Sequence, residues 1–130
     1  MTAASPGGQA PGRATRQATA RRLAEERAGT EARLVSLRRD FDAIVATSAS
    51  AAGADDEHDP EGSSTAFERQ HVAALLEQAE EHLADIARAE ARLADGSYGR
   101  CERCGRPIAA ERLAARPAAS ACIACASRRR

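Results

Sequence analysis

Two stretches of this sequence carry matching apolar seams that run in opposite senses. In the first, Leu23, Arg27, Thr30, Leu34, Leu37, Phe41 and Ile44 follow one another at alternating spacings of 4 and 3. In the second, Val72, Leu76, Ala79, Leu83, Ile86, Glu90 and Leu93 do the same. That alternation places the side chains on one face of a helix with a heptad repeat. Folding the chain back about a point near His58 pairs the stripes layer by layer. Ile44 meets Val72, Phe41 meets Leu76, Leu37 meets Ala79, Leu34 meets Leu83, Thr30 meets Ile86, Arg27 meets Glu90 and Leu23 meets Leu93. The one charged layer sets Arg27 against Glu90, which are opposite in sign. The pattern predicts a long antiparallel helical hairpin, a coiled coil within one chain. The same stripes could instead pack elsewhere or on a second chain. A connecting loop of about 18 residues closes at low entropic cost and favours the intramolecular arrangement.

Local signals bound this hairpin. The first twelve residues contain three Gly and two Pro and no periodic apolar pattern, so residues 1–14 read as a disordered tail. The first helix is expected from about Thr15 to Thr47. Residues 48–64 read as a loop, because Gly53, Pro60 and Gly62 fall there among clustered Ser and Asp. Thr65 and Glu68 have the spacing of a capping box, which sets the start of the second helix. That helix should reach Asp95 and stop at Gly96, a residue free to adopt a left-handed conformation. At 1.5 Å per residue it would span about 45 Å. The hairpin thus occupies residues 15–96, and a separate module follows over 97–130.

Composition explains why the module needs help to fold. Of 130 residues 33 are Ala, whereas Val, Leu, Ile and Phe together number 17. There is no Trp and one Tyr. Alanine forms helix well but buries little area, so a sandwich, a barrel or a doubly wound sheet is excluded. Long thin helices remain, with four cysteines as an added stabiliser. The formal net charge of zero conceals strong blocks: +5 over residues 1–39, −8 over 40–68, −3 over 69–95 and +6 over 96–130. Every basic residue is Arg, which alongside the alanine excess reads as coding bias and carries little weight as a nucleic-acid signal. No apolar run approaches a membrane span, and the expectation is a soluble, cytoplasmic protein with no membrane partner.

Cys101-Glu-Arg-Cys104 and Cys122-Ile-Ala-Cys125 are two CxxC hooks separated by 17 residues. This is the spacing of a four-thiolate zinc site, in which each hook supplies two sulfurs to a tetrahedron. Gly99 and Gly105 flank the first hook, and Gly105 permits the tight turn that aims backbone N–H groups at sulfur. Disulfides are disfavoured in a reducing cytosol, a redox CxxC has no need of a second copy, and iron fits the set less well than zinc. Cys101, Cys104, Cys122 and Cys125 are therefore the expected ligands of one Zn2+. Four thiolates leave no position for a substrate water, so the ion is structural. Between the hooks Pro107, Ile108 and Leu113 are almost the only large apolar groups, and a short helix over 108–116 would end at Pro117. Tyr98 should pack as a spacer at the junction of hairpin and module.

An enzyme is not expected. The three histidines, His58, His71 and His82, lie far in sequence from the cysteines, and no nucleophile–base pair or phosphate loop is present. A nucleic-acid-binding zinc module is the competing reading, with Arg100, Arg103, Arg106 and Arg128-Arg129-Arg130 as its contacts. The acidic central block opposes that reading, as does the lack of an aromatic platform for bases.

The run Gly96-Ser-Tyr98-Gly99-Arg-Cys101-Glu-Arg-Cys104-Gly105-Arg-Pro107-Ile108, followed by Arg112-Leu113-Ala-Ala-Arg116-Pro117 and Cys122-Ile-Ala-Cys125, resembles the DksA/TraR zinc-finger signature. The hairpin is similar in layout, so the resemblance extends over roughly residues 15–125. It implies a monomeric, non-enzymatic transcription regulator that binds bacterial RNA polymerase rather than DNA. The family's coiled coil enters the polymerase secondary channel, with acidic tip residues near the catalytic centre. The family tip motif is Asp, two residues, Asp, one residue, Ala. Here Asp56-Glu-His-Asp59-Pro-Glu61 matches both aspartates and has Glu61 where the family has Ala. The five residues after Cys125 leave no room for the C-terminal helix of longer members. The hairpin axis independently falls in the acidic block. Concentrating like charge there costs stability, although an acidic loop can also be plain solvated surface.

Overall fold

The structure, a computed structural model, describes residues 12–52 and 60–128. The chain is all-α in the manner the seams require: α1 (Arg13–Ala52), α2 (Pro60–Asp95), α3 (Ala110–Ala115) and α4 (Ile123–Ser127). Among the described residues there is no strand, only an isolated antiparallel bridge between Arg100 and Pro107. No described helix is long and apolar enough to cross a membrane.

Both long helices extend further toward their connection than the sequence reading placed them. Thr47 does not end α1. Its Oγ1 donates to the Ala43 carbonyl, 2.9 Å away, which keeps the hydroxyl satisfied inside the helix. The following Ser and Ala residues then carry the helix to Ala52. Pro60, read as a loop marker, is the first residue of α2. A proline there sacrifices an N–H that has no helical partner in any case, and its φ is already helical. Thr65 and Glu68 consequently lie inside α2 and not at its start. The expected loop of 48–64 is helical at both ends. Residues 53–59, with Asp56 and Asp59, lie outside the described residues, as do residues 1–11 of the expected tail.

Two compact units divide the chain: residues up to Ala28 together with those from Leu83 onward, and residues Gly29–His82. The base of the hairpin thus shares a compact unit with the cysteine module. In this first unit Leu23 and Ile86 are fully buried and cluster with Ala89 and Ala118. Leu93 and Tyr98 pack against that cluster, and Pro117 is also fully buried. Arg27 and Glu90, the charged layer, form a two-point ion pair in which Nε donates to Oε2 at 3.3 Å and Nη2 to Oε1.

In the second unit the seam is Thr30, Leu34, Leu37 and Ala79, all buried, continued by the half-buried Phe41, Ile44, Val72, Leu75 and Leu76. An exposed pair, Arg38 and Glu80 at 3.3 Å, lies beside it. Val35 and Val45 remain substantially exposed, and Phe67 more so.

Candidate metal centre

The site begins where α2 stops. Gly96 takes φ 89°, a left-handed conformation open to glycine. Ser97 N–H then reaches the Arg92 carbonyl at 2.9 Å, the six-to-one bond of a Schellman turn. Asp95 accepts from both Ser97 N–H (2.9 Å) and Ser97 Oγ (2.6 Å). These bonds hold its carboxyl below the usual range. Arg92 ties the helix end to the first hook. Its guanidinium donates to the carbonyls of Ser97 and Arg100 and lies 3.7 Å from Glu102 Oε1.

The first hook is a tight knuckle. Cys101 N–H donates to the Arg106 carbonyl at 2.8 Å, Gly105 N–H to the Cys101 carbonyl at 2.9 Å, and Ile108 N–H to the Gly99 carbonyl at 2.7 Å. Gly105 has φ 76°, so the chain reverses just after Cys104 without a Cβ penalty. The reversal aims Arg103 N–H at Cys101 Sγ, 3.4 Å away. The second hook uses a helix start. Cys122 is extended (φ −69°, ψ 166°) and its Sγ accepts from Cys125 N–H at 3.4 Å, the role that Ser or Asp usually plays at an N-cap. Sequence reasoning anticipated the short helix between the hooks, seen as α3, but missed α4. The missed signal is that a ligand cysteine can itself cap a helix.

The four Sγ atoms of Cys101, Cys104, Cys122 and Cys125 all lie within 4.8 Å of one another. Cys104 Sγ and Cys122 Sγ are 3.8 Å apart. A tetrahedron with arms of about 2.3 Å has edges of about 3.8 Å, so the donor set fits zinc. A disulfide would need about 2.05 Å, and all four cysteines are free. The centre holds one structural zinc ion. Cys101 and Cys125 are buried, Cys122 is half-buried and Cys104 is exposed.

Without metal the thiols are unequal. Backbone N–H groups of Cys104 and Cys122 pull Cys101 down to about 6. Backbone N–H donation from Cys125 lowers Cys122. The Cys122 side chain, followed by burial and the other sulfurs, pushes Cys125 up to about 12. A thiolate therefore sits beside a thiol, and zinc displaces the protons that remain.

Straps across the module hold the hooks together. Glu102 N–H donates to the Ser120 carbonyl at 2.8 Å, and Ser120 Oγ donates to Glu102 Oε2 at 3.0 Å. Arg112 Nε donates to the Ala121 carbonyl at 2.9 Å. Ile108 is buried with Cys101 and Cys125, and Leu113, Ala121 and Cys122 pack on them. The expected spacer, Tyr98, is half-buried, with its hydroxyl donating to the Pro117 carbonyl at 2.7 Å. Burial raises its pKa. From α1, Arg22 Nη2 donates to the Ala114 carbonyl at 2.7 Å.

Two of the arginines that a nucleic-acid reading would use are turned to the module's own backbone. Arg100 donates to the Gly105 carbonyl at 3.0 Å and Arg103 to the Cys125 carbonyl at 3.5 Å. Of the sequence-derived tip residues, Glu61 falls in the first turn of α2, while Asp56 and Asp59 lie outside the described residues.

Residues 96–130 match the family model of the prokaryotic dksA/traR C4-type zinc finger. Among solved structures, the chain is similar to transcription factor DksA2 from Pseudomonas aeruginosa. The identity is 27% and the TM-score 0.70, over 90% of this chain and 84% of that one. No curated protein sequence matches the chain.

Proposed function

We propose, for a chain that belongs to the DksA/TraR family through its C4-type zinc finger, a specific mode of transcription regulation. The protein binds bacterial RNA polymerase as a monomer in the cytoplasm and modulates initiation through its hairpin, without an enzymatic step of its own. The observation that carries this reading is the likeness to a transcription factor over 90% of the chain, hairpin and finger together. Arg100 and Arg103 each turn one guanidinium nitrogen to the finger's own backbone.

In this reading the hairpin enters the secondary channel, and Asp56 and Asp59, in the connection between α1 and α2, act near the catalytic centre. Carboxylates beside a catalytic magnesium or a mobile loop alter the local field without a large contact. Glu61 adds a third negative charge where the family places Ala, and it should oppose whatever that small residue touches. The finger and the base of the hairpin carry no chemistry; zinc fixes their fold.

The test is a binding and transcription assay with purified RNA polymerase core and holoenzyme. Asp56→Asn/Asp59→Asn should bind with unchanged affinity yet lose most of the effect on initiation, and Glu61→Ala should strengthen it. A double Asn variant that regulates fully at saturating occupancy would refute the tip assignment.

A further inference from the structure

Between the end of α2 and the first hook the chain passes through two left-handed glycines, Gly96 at φ 89° and Gly99 at φ 88°. Glycine loses more backbone freedom on ordering than any other residue. Two of them within four positions make the path into Cys101 costly to hold fixed. The backbone contributes a bond of its own across this stretch, from Arg100 N–H to the Ser97 carbonyl at 3.3 Å.

Arg92 spans the same stretch from the helix side. Its guanidinium donates to the Ser97 carbonyl at 3.1 Å and to the carbonyl of Arg100, the residue before Cys101. Nη1 lies 3.7 Å from Glu102 Oε1, inside the first hook. The Arg92 side chain is only 18% exposed, so water competes little for these acceptors. From Glu102 the tie continues to the second hook. Ser120, two residues before Cys122, donates its Oγ to Glu102 Oε2 and accepts from Glu102 N–H at its carbonyl. One side chain of α2 is thus connected to both ligand pairs. The neighbouring cations are engaged differently: Arg88 pairs with Asp85, and Arg100 donates to the Gly105 carbonyl.

We propose that Arg92 is a positioning residue of the zinc centre. It fixes the entry of the first hook across the two glycines and, through Glu102 and Ser120, the placement of that hook beside the second. Ligands already held in their bound geometry lose less freedom when the ion arrives. Groups that orient ligands without being ligands typically carry roughly 10–100-fold in metal affinity. The hairpin therefore contributes to zinc affinity from outside the finger, and this stands apart from the choice of partner.

The experiment uses the full chain, stripped of metal under reducing conditions and titrated with zinc against a chromophoric chelator. Arg92→Ala should bind zinc about tenfold more weakly. It should keep its far-ultraviolet helix signal, because Ala favours helix. Cobalt(II) in place of zinc should give the same tetrahedral thiolate spectrum in both chains, since the four ligands are unchanged. Arg92→Lys keeps the charge but replaces a planar fork with a point charge, and it should recover only part of the loss. Arg88→Ala removes a cation one turn away and should bind zinc as the unmodified chain does. Glu102→Gln should also weaken binding. Arg92→Ala/Glu102→Gln should lose less than the two single losses combined, because both break one contact. Unchanged affinity in Arg92→Ala overturns the proposal. Full recovery in Arg92→Lys, or an equal loss in Arg88→Ala, also overturns it, because the effect is then one of charge near the thiolates. A helix signal lost in Arg92→Ala assigns the residue to the fold of α2 and overturns it too.

Discussion

The base of the hairpin and its distal stretch are built from the same two helices, yet they are held by different means. Around the base, Leu23 and Ile86 are fully buried, and Tyr98 and Ala118, from outside the two long helices, pack with them. A metal and a set of arginine-to-carbonyl bonds close the unit. In the distal unit the seam is a single row, and beyond Leu37 and Ala79 its residues are only half-buried. Two helices alone cannot enclose a third dimension of core. The contrast teaches that a heptad seam sets register cheaply, while depth of burial has to come from elements outside the seam. Local stability should follow that division, with opening easiest where walls are fewest.

The strongest way to break the comparison is to remove zinc. Structural zinc in finger peptides contributes roughly 10–16 kcal/mol at neutral pH, so a chelator or Cys101→Ser should abolish exchange protection over residues 97–127. Residues 29–52 and 60–82 should keep theirs, and amide hydrogen exchange with mass spectrometry reads both regions at once. Acid should act in the same direction. At pH 7 Cys125, raised to about 12, still holds its proton, whereas Cys101, lowered to about 6, has lost its own. Zinc uptake must expel the Cys125 proton, so affinity should fall on acidification, and more steeply once Cys101 protonates as well. A competition titration with a chromophoric chelator measures that slope.

Next in size is a matched pair of truncations. Ile86→Ala should cost about 2–5 kcal/mol, because its cavity is walled on every side. Ile44→Ala, in the half-buried seam, should cost about 1 kcal/mol. Equal losses in thermal unfolding would erase the distinction between the units.

Gly29 opens the distal unit in mid-helix, with nothing within 4 Å of where a Cβ would stand. Gly29→Ala should therefore stabilise α1 by about 0.5–1 kcal/mol, seen as slower exchange in the flanking turns. Smallest is the coupling between Arg27 and Glu90. Glu90→Arg should destabilise, and adding Arg27→Glu should recover about 0.5 kcal/mol beyond the sum of the single changes. A double-mutant cycle showing no recovery would mean that the pair fills space without fixing register.

Much of this was legible in the residues, for identifiable reasons. Periodicity encodes a helix face directly, so Leu23, Ile86, Leu37 and Ala79 could be placed inside, and Arg27 could be matched to Glu90. The hooks encode ligand geometry through spacing alone. Helix ends were harder to read. Pro60 and the Ser-Ala run after Thr47 suit a loop or a helix terminus equally well, and only the fold decides between them. Side chain-to-backbone bonds left no pattern at all. Arg92 looks like one more exposed charge on α2 until Gly96 turns the chain back over its guanidinium, and Arg112 and Arg22 are read from the sequence in the same uninformative way.

Tyr98 gives the molecule an unusual optical character. The chain has no Trp and this one Tyr, so nearly all of its near-ultraviolet absorbance and emission comes from a single ring. That ring packs on the Leu23–Ile86 cluster with its hydroxyl on the Pro117 carbonyl, and the stretch from Gly29 to His82 contains only phenylalanines as chromophores. A denaturation curve followed by tyrosine emission will report the braced unit alone. One followed by far-ultraviolet dichroism will report both. Laid over each other, the two traces resolve the separate melting of the distal helices with no label attached.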